Sequence, residues 1–122
     1  MEERCLDSTE LFEHYAELLE LYKKMETVSC EVFHALASGS RIGQFFTHLR
    51  ENMAVANRIS EESQTIVSIK KSLIEKDQLT DEDRVRVREA EQLLARAVDR
   101  VVNQETKNHE LMVKQGVKIS RK

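Results

Sequence analysis

Glu31 and His34 stand three residues apart, so on a helix a carboxylate and an imidazole project from one face. Di-iron carboxylate bundles use such a pair twice, with two more glutamates, inside a four-helix core. Here the pair occurs once. Glu10, His14 and Glu17 repeat the combination at helical spacing, as do His48 and Glu51, yet none of these falls on an apolar stripe. On charged helices such groups meet by chance, and the expectation is a solvated face with no metal and no cofactor. Cys30 has apolar neighbours in a helical pattern, where burial makes a thiol inert, and no third group offers to orient a nucleophile–base pair. The "GSRIG" stretch lacks the lysine and the glycine spacing of a phosphate loop. The sequence therefore predicts no enzyme.

Chemistry gives way to architecture in the bulk composition. The 122 residues suit one domain, residues 1–122, with 1–6 and 117–122 expected to fray. Hydrophobic residues make up 40% and charged residues 34%, with no proline and three glycines. That is too much charge for a thick core and too much patterned apolar content for a disordered chain; it suits long helices that each bury one stripe. A net charge of −3 with both signs interspersed offers no field for nucleic acid, and Arg84, Arg86 and Arg88 are offset by Asp81, Glu82, Asp83, Glu89 and Glu91. No apolar run approaches the roughly 18 residues of a membrane span, and the acidic "MEERCLDSTELFEH" opening is unlike a signal peptide. The expectation is a cytoplasmic protein with Cys5 and Cys30 as free thiols.

Three rods follow from periods and stops. Asp7 can cap a first helix in which Leu11, Tyr15, Leu18, Tyr22, Met25, Ser29, Val32 and Leu36 recur at spacings of four and three. Gly39 can close it in a left-handed conformation, and Ser40 can cap the next. The second helix carries Ile42, Phe45, Leu49, Met53, Ala56, Ile59, Ser63, Ile66 and Leu73, with packing expected to thin around Ser60 and Ser63. Thr80, with Asp83 three residues on, caps a third whose stripe is Val87, Leu94, Ala97, Val98, Val101, Asn108, Leu111 and Met112. Short connections force antiparallel neighbours, which predicts an all-α, up-down-up bundle of three long helices over about 8–38, 41–76 and 81–115.

The last dozen residues, "NHELMVKQGVKI", are unusually apolar for so charged a chain. Leu111 and Met112 continue the third stripe, whereas Val117 and Ile119 lie beyond Gly116, where a helix should fail. The stripes together are wider than three rods can hide, so a helix-in-groove partner is expected on helices two and three. Ile66, Leu94, Val98, Val101, Asn108, Leu111 and Met112 are the candidate contact residues. The alternative is a self-associating bundle, a homodimer or coiled-coil adaptor, that pairs the same stripe with its own copy.

The opening "LFEHYAELLELYKKM" helix, the long second helix and the third ending in "NHELM" resemble bacterial flagellar export chaperones of the FlgN and FliT type. Such chaperones are small cytosolic helical proteins that hold the C-terminal helices of secreted axial proteins before export. The resemblance implies a protein helix of an export substrate as partner, with Asn108, Leu111 and Met112 as matching contact positions. Gly116 interrupts the tail, and no longer C-terminal extension follows it, which departs from the pattern.

Overall fold

The computed structural model describes residues 8–39 and 42–114 (of 42–45, the backbone alone). Three helices account for nearly all of them: α1 Ser8–Ala37, α2 Ile42–Glu75 and α3 Asp81–Lys114. Their 30, 34 and 34 residues correspond to rods of about 45–51 Å. The chain runs up, down and up, as the short connections require. Asp7, Ser40, Gly116, Val117, Ile119 and Cys5, with the ends expected to fray, lie outside the described residues. No helix among the described residues is long and apolar enough to cross a membrane.

The helix ends form by local chemistry. At the end of α1, Gly39 adopts φ +73°, and its amide reaches the Leu36 carbonyl at 3.3 Å. Asp77 takes the same left-handed role after α2, with φ 54°. The Gln78 amide then bonds the Leu73 carbonyl at 2.8 Å and the Asp77 amide bonds that of Ile74 at 3.0 Å, the paired closure of a Schellman motif. Leu79 follows and is buried, stitching the turn onto the core. Thr80 and Asp83 then cap α3 reciprocally. The Asp83 amide donates to Thr80 Oγ1 at 3.0 Å, and the Thr80 amide donates to Asp83 Oδ2 at 3.2 Å.

α1 is the shared partner of the other two helices. It packs closely against both α2 and α3, whereas among the described residues no Cα of α2 comes within 8 Å of a Cα of α3. A helix flanked on two sides must bury more than one seam. Leu21 and Val28 are accordingly buried beside the expected Leu11, Tyr15, Leu18, Ser29 and Val32, while Tyr22 and Met25 are only partly covered.

The inward face of α2 keeps Ile59, Ile66 and Leu73 of the sequence expectation and departs from it elsewhere. Met53 is 66% exposed and Ala56 is exposed, while Val55, Ile59, Ile66, Ile69 and Leu73 form the buried face. Continuing that spacing of three and four places Asn52 and Glu62 on the inner face too. A hydrophobic count skips these positions because their occupants are polar. Glu62 is taken up by His14 Nδ1 at 2.7 Å, and Asn52 by Ser29. On α3 the expected stripe is largely observed, with Val87, Ala97, Val101 and Asn108 buried.

Candidate functional site

Two polar ties join α2 to α3 across α1. Near the Leu79 turn, Lys70 Nζ donates to Glu91 Oε2 at 2.8 Å, and the Tyr15 hydroxyl donates to the same oxygen at 3.0 Å. Toward the Gly39 end, Asn52 Nδ2 lies 3.3 Å from Ser29 Oγ and 3.5 Å from Glu105 Oε2. The Ser29 hydroxyl also donates to Glu105, and Asn108 Nδ2 donates to the Ser29 carbonyl at 3.0 Å. Gln104 Nε2 reaches Asn108 Oδ1 at 3.2 Å, and the half-buried Cys30 thiol reaches Gln104 Oε1 at 3.5 Å. Cys30 is thus a modest hydrogen-bond donor between α1 and α3.

The tie near the turn has an electrostatic signature. Burial, then the hydrogen bond to Glu91 and that carboxylate's charge, hold the Tyr15 hydroxyl neutral well above the usual tyrosine range. The Lys70 ammonium, helped by Tyr15 and opposed by partial burial, holds the Glu91 carboxyl below the usual glutamate range. An unfolded tyrosine releases its proton near pH 10 while the folded Tyr15 keeps it. The Tyr15 contribution is therefore complete below about pH 10 and is lost as pH rises further. Denaturant melts of wild type and Tyr15→Phe should run parallel at neutral pH, with the wild type losing stability more steeply above pH 10. Identical alkaline slopes would show that the hydroxyl is not held neutral.

Between and beyond these ties, α3 presents a row at sevenfold spacing: Glu91, Val98, Glu105 and Met112. The two glutamates belong to the polar ties, and the two apolar members remain half-buried. Midway between Asn52 and Lys70 on α2 come Ser60 and Ser63, too small to bridge the gap. A furrow therefore runs between α2 and α3. Its Gly39 end is a recess lined by Val32, Leu49, Asn52, Glu105, Asn108 and Met112. Its other end is walled by Lys70, Ile74, Leu79, Arg88 and Glu91. Along its rim α2 exposes Val67 at 65% and α3 exposes Val102 at 53%.

The expected contact residues divide accordingly. Leu94, Val98, Leu111 and Met112 are half-buried and retain accessible apolar surface. Ile66, Val101 and Asn108 are buried within the chain, although Asn108 also borders the recess at the Gly39 end. Val67, Ile74 and Val102, absent from the expected set, are exposed. A sequence signal for two of them exists, because Met53, Ser60, Val67 and Ile74 recur every seven residues beside the true seam of α2.

The acidic and imidazole groups also sort differently from their sequence order. Glu31 does not share its site with His34, whose ring packs edge-on against Phe33 at 6.0 Å. It approaches His48 instead, and Glu51 joins them from α2. His14 serves Glu62, and Glu17 serves Arg58 at 3.1 Å.

No family model matches the chain, and no curated protein or solved structure matches it either.

Proposed function

We infer that the protein binds an amphipathic helix of a partner protein in the furrow between α2 and α3, as an export chaperone for a flagellar or related secretion substrate. The observation that carries this reading is the asymmetry of the bundle. α1 packs closely on both neighbours, whereas α2 and α3 are bridged by side chains and leave apolar groups along their seam half covered. A guest helix laid over Leu94, Val98 and Met112 removes that surface from water, and the rim residues Val67 and Val102 widen the contact. Held in this way, the guest cannot pair with its own kind. The proposed setting is the cytoplasm, before export.

The resemblance to FlgN and FliT chaperones supports the choice of client. Glu91 and Glu105 on α3 and Lys70 on α2 place charges of both signs beside the apolar positions, a setting for a guest with a mixed-charge polar face.

The test uses a synthetic amphipathic peptide helix with a leucine stripe, its binding followed by fluorescence anisotropy. Leu111→Asp with Met112→Asp should weaken binding tenfold or more, a loss of about 1.4 kcal/mol, while helicity is largely retained. If the double variant instead lowers the melting temperature by many degrees, both residues belong to the core. If wild type forms a tight dimer that buries α3 and ignores the peptide, the furrow serves self-association.

A further inference from the structure

Glu31 on α1 and His48 and Glu51 on α2 converge at the Gly39 end of the α1–α2 pair, outside the furrow proposed for a guest helix. One ligand-capable atom from each lies within 4.8 Å of the others. His48 Nδ1 is 3.6 Å from Glu31 Oε1 and 3.9 Å from Glu51 Oε1. Both separations exceed the roughly 2.7–3.2 Å of a hydrogen bond to nitrogen. His48 Nδ1 is nonetheless shut off from solvent and has no hydrogen-bond partner. A buried imidazole nitrogen aimed between two carboxylates, yet bonded to neither, is a costly arrangement unless something occupies the space between them.

The spacing suits a metal ion. Nitrogen and oxygen ligands about 2.0–2.2 Å from zinc stand roughly 3.3–3.6 Å apart around a tetrahedron, close to the separations from His48. Two carboxylates supply the charge that balances a divalent cation, and an imidazole favours zinc over the oxygen-preferring magnesium and calcium. The nearby Arg58 guanidinium, which lines the same α1–α2 groove as Glu51, is already engaged by Glu17 at 3.1 Å.

We propose that Glu31, His48 and Glu51 form a zinc-binding site that clamps α1 to α2 beside their connection. Three protein ligands leave the fourth position to water, and the ion adds a tie between α1 and α2 to those made by His14 with Glu62 and by Glu17 with Arg58. The proposal is independent of guest binding, since none of the three residues belongs to the α2–α3 furrow.

Metal-free full-length protein is titrated with zinc by calorimetry, with helicity monitored throughout. One equivalent should bind per chain, and the melting temperature should rise with free zinc because the ion binds the folded state. Glu31→Gln and His48→Gln should each weaken binding by more than the roughly 10–100-fold that loss of an outer-shell contact costs. The Glu31 and Glu51 side chains are 49% and 46% exposed, so Glu31→Gln and Glu51→Gln keep the fold and remain informative if His48→Gln does not. Magnesium at the same concentration should not compete. Absence of stoichiometric binding, or binding that survives Glu31→Gln and Glu51→Gln, overturns the proposal.

Discussion

Leu73→Ala should lower the unfolding free energy by about 2–5 kcal/mol, read as a shift of the denaturant midpoint without a change of slope. Leu73 is fully enclosed, at 0% exposure, in the cluster that joins Leu11, Val87 and Leu79 from the other elements. Its carbonyl also accepts the Gln78 amide that closes α2, so the residue sits where helix end, turn and core coincide. Truncation removes several methyl and methylene groups and leaves a hollow that surrounding backbone, fixed by the Schellman closure, cannot easily fill. The same change at Met53, 66% exposed, should fall within about 0.5 kcal/mol of neutral. The contrast tests the register of α2 directly. A costly Met53→Ala and a neutral Leu73→Ala would mean the inward face of α2 is wrongly assigned.

Ser29→Leu is expected to cost at least about 2 kcal/mol, and Ser29→Ala clearly less. Ser29 is a small, fully enclosed side chain of α1, at 0% exposure, with Asn52 of α2 and Glu105 and Asn108 of α3 closing on it. Alanine removes the hydroxyl and its bonds but keeps the volume. Leucine must displace one of the flanking helices, and it strips Asn52 and Glu105 of a shared partner at the same time. Thermal melts of the two variants separate the terms: equal losses would show that hydrogen bonding, not space, governs this layer. A neutral Ser29→Leu would mean that α2 and α3 already stand far enough apart to admit it.

The polar layer also bears on the furrow. Asn52, Glu105 and Asn108 are drawn inward to Ser29, so a polar layer shares the Gly39 half of the bundle with Val28, Val32 and Val101, where the other half has the larger apolar cluster of Leu11, Leu18, Ile66, Ile69 and Leu73. Hydrogen-bonded groups fix separation and register without demanding the close approach that apolar side chains reward. That difference leaves a recess beside Asn52 and Met112, while the opposite end closes on Leu79.

Much of the architecture was legible in the residues alone, because its causes are local. The helix limits agree with the expected ones to within a residue, since Gly39 and the Thr80–Asp83 pair act on their immediate neighbours. The seams of α1 and α3 were legible too, because apolar residues occupy them at spacings of three and four. The register of α2 was legible only in part, at Ile59, Ile66 and Leu73. Its inner face carries Asn52 and Glu62, whose polarity makes sense only with Ser29 and His14 brought alongside from α1. The division of the candidate site was equally hidden: one stripe holds Val101 and Asn108, which are buried, and Leu94 and Val98, which are half open, and periodicity treats them alike. The grouping of Glu31 with His48 and Glu51, in place of Glu31 with His34, required the antiparallel return of α2. Local chemistry determined where the rods begin, end and turn their greasy sides. Only the packing of α1 between two partners decided which groups meet, because that outcome depends on distances between helices and no single helix contains them.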